Sequence, residues 1–199
     1  MFQIHRLTLP EEAEQVLPLM GQVFGPRANT IESFRTWITR PECSVLLSRS
    51  GGASVAGVSV ARYSDDDVWI RRLTLPRETL EPYLNRRMGD FQILAVDPAY
   101  RRSGLGYLLC EKQKEWMVAN GCHGAIGTAW EHGHTDSSHH LFRRENFKPI
   151  GEMKDFYLEG SRKHGHSCPI CQGECHCSAL LYGQLWPAQR ACPKVLPTP

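Results

Sequence analysis

Ile93-Leu94-Ala95-Val96 is a dense apolar run that stops at Asp97-Pro98 and gives way to a loop bearing two arginines and two glycines. An apolar run of this kind reads as a central strand. From Gly104 to Asn120, closed by Gly121, apolar residues recur at helical spacing (Leu105, Leu108, Leu109, Trp116, Ala119), so an amphipathic helix follows. Gly104 and Gly106 allow a ligand to approach the backbone closely. The first N–H groups of the helix have no partners inside it, and the dipole there favours negative charge. With Arg101 and Arg102 alongside, the segment describes a site for a phosphate or pyrophosphate.

The remaining elements fall around this unit. Phe2 to Leu7 alternates as a first strand, and Thr8-Leu9-Pro10-Glu11 reads as a capping box. It opens a helix that runs to about Phe24, kinks at Pro18 and ends at Gly25-Pro26. A second helix spans Ile31 to Thr39, and a hairpin joins Ser44–Arg49 to Ala53–Tyr63 through Ser50-Gly51-Gly52. A helix is expected around Arg77 to Arg87, then the strand Phe91–Val96. After the long helix come a strand from Gly124 to Trp130, a short helix from Ser137 to Glu145, a strand from Lys148 to Leu158, and a last strand from Ala179 to Trp186. This order predicts an α/β (α+β mixed) fold, a mixed sheet of six to seven strands with helices on both faces.

The chain has 199 residues, 23 basic against 21 acidic, for a net charge of +2. That balance sets up no field for nucleic acid, and the arginine doublets are scattered among acids. No apolar run is long enough to span a bilayer. The opening residues Met1 to Arg6 lack the basic-then-apolar layout of a secretory signal, so a cytoplasmic protein is expected. Neither a membrane nor a nucleic-acid partner is expected, and a homodimer is compatible with the sequence. Residues 1–186 read as one domain with a cysteine- and histidine-rich insertion at 159–178, and 187–199 as an extended Pro-rich tail.

Four of the eight cysteines, Cys168, Cys171, Cys175 and Cys177, fall within ten positions. Where thiols are kept reduced, such a cluster suggests a metal before disulfides. Cys168-Pro169-Ile170-Cys171-Gln172-Gly173 has the form of a zinc knuckle, in which the glycine permits a tight turn. Cys175 and Cys177 lie two apart, so on an extended chain both sulfurs face one side. From Leu158 to Ala179 the one clear large apolar residue is Ile170, so this segment needs a staple other than burial. Structural zinc, an iron–sulfur cluster and free thiols are all chemically open, as is a ligand role for His164, His166 or His176.

Arg101-x-x-Gly104-x-Gly106, preceded by Val96-Asp97-Pro98 and followed by an amphipathic helix, resembles the acyl-CoA signature of the GNAT superfamily of N-acetyltransferases. The resemblance in element order covers about Met1 to Leu158 and the final strand. It implies transfer of an acetyl group from acetyl-CoA directly to an amine acceptor in a ternary complex. It further implies that the amides of Arg102, Ser103, Gly104, Gly106 and Tyr107 hold the pyrophosphate, with Arg101 and Leu105 in the same loop. The splayed strand Leu94, Ala95, Val96 would bond the pantetheine arm, and the Val96 amide would polarise the thioester carbonyl.

The family's usual general acid is a tyrosine just before x-x-x-Gly-Phe; here Phe142 takes that place and Asn146 replaces the glycine. Candidate acid–base groups sit upstream at Glu131, His132, His134, Asp136, His139 and His140. Glu131 is the expected base, Asp90 the second choice, and His134 a candidate acid or base. A domain of this fold that binds acyl-CoA without turnover is the alternative. In the resembling fold the excursion between the last two strands borders the acceptor cleft. A metal there would shape that cleft rather than react, because a closed four-ligand sphere leaves no open position.

Overall fold

The computed structural model describes residues 1–51, 54–131 and 138–187. The strands are β1 (Phe2–Arg6), β2 (Cys43–Ser50), β3 (Val55–Ser64), β4 (Met88–Val96), β5 (Gly124–Glu131), β6 (Lys148–Met153) and β7 (Ser178–Leu185). They form one sheet in the order β1-β2-β3-β4-β5-β7-β6, so β6 reaches the sheet only through β7. Every neighbouring pair is antiparallel except β4 and β5, which run parallel.

That parallel pair is short. Gly89, Asp90 and Phe91 are in register with Ala125, Ile126 and Gly127, and the strands then part. β4 stays with β3 as far as Val96, and the register slips at Gln92, between Phe91 and Ile93. A bulge bends its strand and increases the local twist, and here it falls where β4 leaves β5. The sheet therefore opens as a V toward the carboxyl ends of its two parallel strands.

The helices are α1 (Leu17–Phe24), α2 (Ile31–Thr39), α3 (Val68–Arg71), α4 (Arg77–Leu80), α5 (Leu105–Ala119), α6 (His139–Arg144) and α7 (Leu158–His164). On one face, Leu19, Met20, Phe34 and Ile38 pack over Val45, Leu47, Val58, Val60 and Ile93. Ile70, Leu80 and Leu84 continue that layer over Ile126 and Leu181. On the opposite face Leu105 and Leu109 of α5 cover Leu46 and Ala56. Cys110, Met117, Phe142 and Phe147 cover Phe91, Ala125, Ala129 and Tyr182. This two-sided burial is why β2 to β5 read as apolar runs rather than as alternating strands.

Several local expectations are corrected. The first helix is a 3-10 segment (Pro10–Gln15) followed by α1, with Pro18 near the new helix start rather than at an interior kink. Its cap acid is Glu12, whose Oε2 accepts from the amides of Thr8 (3.1 Å) and Leu9 (3.0 Å). The single helix expected at Arg77–Arg87 is only α4 and a 3-10 turn at Glu81–Tyr83. β6 ends at Met153, and the stretch through Leu158 turns into α7 instead of continuing as strand. On α5, Leu108 is exposed, whereas Gln113 is buried, its Nε2 donating to the carbonyls of Ser44 and Ser59 at 3.1 Å each. No helix among the described residues is long and apolar enough to cross a membrane. The tail from 188 on, with Cys192, lies outside the described residues.

Candidate active site and cysteine cluster

The V between β4 and β5 widens into a cleft of about 1080 Å³. The loop that leaves β4 forms one wall. The segment leading into β7, whose first residue pairs with Glu131 at the end of β5, forms the other. In open sheets ligands bind in the crevice beyond the carboxyl ends of parallel strands, and this crevice has that position.

On the β4 wall, strand geometry sorts the backbone groups. The Asp97 N–H donates to Ala56 O at 3.0 Å, so the odd-numbered amides from Ile93 onward turn to β3. The amides of Leu94 and Val96 consequently face the side that β5 has vacated. Ala95 is the exception among the three expected pantetheine residues: its polar backbone groups face β3 and its side chain is fully buried.

The loop beyond is built by short-range bonds. Asp97 Oδ1 accepts from Ala99 N at 2.8 Å, Ser103 Oγ donates to Tyr100 O at 2.5 Å, and Arg101 Nε reaches Val96 O at 3.4 Å. Arg102 and Gly104 have φ of +60° and +86°, and Gly104 caps α5. A side chain at Gly104 would be strained by that φ, and the space its Cβ would enter is open. The first helical bond runs from Leu108 N to Gly104 O at 3.1 Å, which leaves the amides of Leu105, Gly106 and Tyr107 directed out of the helix start. Leu105 contributes only that amide, since its side chain is core. Tyr107 has its phenol on Glu111 at 2.9 Å and its ring under Arg144, 4.4 Å from the centroid. Arg101, Arg102 and Arg144 thus bring positive charge to the cleft that Gly104 and Gly106 line.

Acid–base groups are spread over the two faces of the sheet. Glu131 turns to the α6 face, where its Oε2 meets His139 Nε2 at 2.5 Å, and His139 Nδ1 lies 3.2 Å from the phenol of the buried Tyr182. His140 lines the cleft. His132, His134 and Asp136 lie outside the described residues. Asp90 is buried at the point where β4 and β5 part, paired with Arg62 through bonds of 3.0 Å and with the Gln92 amide. Burial pushes its carboxyl up from the ordinary value, with Arg62 pulling the other way. It borders a second cavity of about 360 Å³ that shares Phe91, Gln92, Thr128 and Tyr157 with the main cleft.

Phe142, at the expected tyrosine position, is 3% exposed and wedged among aromatic rings. Sequence reasoning missed Trp130, Tyr157 and Arg144 as cleft residues. Trp130 had a readable signal, as the last large apolar residue of its strand. Tyr157 had none, because the turn that carries it reads as strand.

The sulfurs of Cys168, Cys171, Cys175 and Cys177 all lie within 4.8 Å of one another. Cys168 Sγ is 3.9 Å and Cys171 Sγ 3.6 Å from Cys177 Sγ. One ion with metal–sulfur bonds of about 2.3 Å in a tetrahedron holds its sulfurs roughly 3.8 Å apart. A multi-iron cluster would place the thiolates on separate atoms and farther apart, so the set suits one ion. The amide of Cys171 donates to Cys168 Sγ and that of His176 to Cys171 Sγ, each at 3.4 Å. The knuckle closes with Cys168 N on Gly173 O at 2.8 Å, and its left-handed residue is Gln172 (φ +58°), not the expected Gly173. Burial pushes the Cys177 thiol up, and the Trp130 side chain beside it pulls it back.

The chain belongs to the Acetyltransferase (GNAT) family, whose sequence profile it matches over residues 13–147. No curated protein matches the sequence. Among solved structures, NAA60 of Arabidopsis thaliana in complex with acetyl-CoA superposes with a TM-score of 0.69 at 15% identity, covering 93% of this chain and 98% of that one. The same protein with a bisubstrate analogue gives 0.69 at 14%, over 95% and 100%. The ribosomal-protein-S18-alanine N-acetyltransferase of Escherichia coli gives 0.62 at 14%, over 98% and 99%. At these identities the likeness is one of fold.

Proposed function

We propose that the protein transfers an acetyl group from acetyl-CoA to an amine acceptor by direct attack in a ternary complex. The observation that carries this reading is the meeting, in one cleft, of the unpaired Leu94–Val96 edge with the outward amides and arginines of the loop from Arg101 to Tyr107. The pyrophosphate sits on the α5 start, favoured by the dipole and by Arg101 and Arg102. The pantetheine arm extends along Leu94 and Val96 as a substitute for the strand that has left. The Val96 N–H then points at the thioester carbonyl, and a donor aimed at developing negative charge there supplies roughly 3–4 kcal/mol.

An amine with a pKa near about 10.4 arrives protonated and must lose a proton before it attacks. The base assigned here is Asp90, ahead of Glu131. Its raised carboxyl suits proton uptake closer to neutrality, and it stands where the two cavities share their wall. Glu131, in contrast, is engaged with His139 on the α6 face. The ammonium gives one proton to Asp90, the neutral nitrogen then bonds the acetyl carbon, and the carbon–sulfur bond breaks to release the thiolate of CoA while the nitrogen's surplus proton passes to solvent. A thiol titrates at about 8.5, so its thiolate leaves readily near neutral pH without a dedicated tyrosine.

The four clustered thiols are assigned to a structural zinc ion. Its sphere is closed, and no step of the transfer runs through it. Phe142 favours a second reading, a fold that binds acetyl-CoA without turnover. Titration calorimetry with acetyl-CoA, followed by amine-dependent release of CoA thiol over amino acids, polyamines and peptide amino termini, tests both. Binding with release supports transfer, binding without release supports the second reading, and absence of binding overturns both.

A further inference from the structure

We infer that the Cys168–Cys177 knuckle, when metal-loaded, is the wall that shuts solvent out of the acyl end of the cleft on its β5 side, and that Trp130 couples the metal site to that wall. The inference rests on the acetyl transfer proposed above for what the cleft contains, but its evidence is separate.

Apart from the bond of Cys175 N to Ser161 Oγ and the exposed pairs Arg162–Glu174 and His176–Asp155, little holds the knuckle. Its buried side chains are Cys168, Cys175 and Cys177, and the apolar groups packed on them are Trp130 and Tyr157. A hairpin with so little apolar burial is marginal without a cross-link. Coordination supplies one, each thiol releasing its proton to solvent as its sulfur binds the ion. The turn that this fixes, Pro169-Ile170, lies in the cleft with Cys175 and His166. It is also docked on the end of α1. Gly25 there has φ +91°, and a Cβ on it would come within 2.4 Å of Ser167 O and 3.1 Å of Pro169 Cδ. The knuckle therefore bridges α1 and β5 across the mouth of the V.

Trp130 makes the link to the reacting region. Its side chain packs on the buried Cys168, Cys175 and Cys177, its ring lies 6.1 Å from that of Phe24, and it lines the same cleft as Val96 and Gln92. Coordination fixes the three buried sulfurs on which that ring rests. Occupancy of the site thus orients the ring that borders the acyl group, whereas the diphosphate cradle on β4 and α5 needs nothing from the knuckle.

The test uses the full chain with zinc or cobalt(II) alone as the metal. Emission spectroscopy is expected to find one ion per chain, and cobalt to give the absorption of a tetrahedral tetrathiolate site. Chelation of the wild type, or Cys171→Ser at this exposed position, should speed amide exchange in 165–177 and around Trp130. Affinity for acetyl-CoA should stay within error, while CoA release without any amine rises severalfold as water reaches the thioester. Trp130→Phe should keep the metal yet show the same rise.

Metal-free protein with unchanged exchange and hydrolysis after chelation overturns the inference and leaves the transfer reading intact. So does a metal whose removal changes neither. Protein that binds no acetyl-CoA fails the transfer reading, and metal content and amide exchange then decide the knuckle's role alone.

Discussion

The ring of Phe142 lies stacked on that of Tyr182, centroids 5.3 Å apart and planes 17° from parallel. Its para carbon points at β5, where a Cβ on Gly127 would sit only 2.4 Å away. A hydroxyl added there meets strand backbone rather than the departing sulfur. Phe142→Tyr is therefore expected to give no gain in turnover and to lower stability by about 1–3 kcal/mol, the usual penalty of overpacking. Urea denaturation and steady-state kinetics check both parts, and a variant that turned over faster at full stability would remove Phe142 from the core.

Gly104→Glu should abolish measurable binding of acetyl-CoA, because it puts a carboxylate where the phosphates bind and forces φ +86° on a side chain. Gly104→Ala carries only the conformational penalty of about 1–2 kcal/mol and should weaken binding by roughly tenfold. Calorimetry on the pair separates charge from backbone; equal affinities for both variants would mean that the diphosphate lies elsewhere.

Asp90 yields a pH signature whose sign follows from its burial. Its folded pKa is raised, so the stability linked to this group is fully present below the unfolded value and is lost as pH rises through the folded one. The ionised base is populated only above that same point. Amine-dependent kcat/KM should climb along a limb displaced upward from the ordinary value of 3.8. Asp90→Asn should erase the limb and lower the rate by about 10²–10⁴-fold. A pH–rate profile in which the variant keeps both limb and rate returns the role to Glu131.

Lys114 Nζ lies 2.5 Å from Glu145 Oε2, with 23% and 4% of the side chains exposed. Lys114→Met strands a buried carboxylate and should cost about 3 kcal/mol. Lys112, two residues earlier, pairs in the open with Glu115 at 55% and 63% exposure. Lys112→Met should fall within about 0.5 kcal/mol of wild type. Chemical denaturation of the two variants under one buffer gives the comparison directly.

Sequence reasoning succeeded where one local pattern decides the outcome. The Asp97-Pro98 stop and the helix opening at Gly104 each leave few alternatives, and the end of β4 and α5 stand where expected. It failed where a distant partner decides. β4 starts at Met88, three residues before the expected Phe91, because Gly89 and Asp90 are poor strand formers held in register by Tyr63 and Arg62 on one side and by Ala125 and Ile126 on the other. Gln113 looks like a solvent residue until β2 and β3 offer it two carbonyls. Position along the chain likewise does not show that Asp90 is buried against Arg62 while Glu131 meets His139, because each partner comes from another element. α7 carries too little apolar periodicity to be seen, its Leu158-Glu-Gly-Ser-Arg-Lys-His being mostly exposed.

The insertion of β7 between β5 and β6 has a consequence for how the molecule is born. On the ribosome, β5 must wait with one bare edge, and β6 with no neighbour at all, until residues 178–185 have emerged. This half of the sheet is thus assembled in a single closing event by β7, and nascent chains halted before residue 178 should be open to proteolysis across both waiting strands.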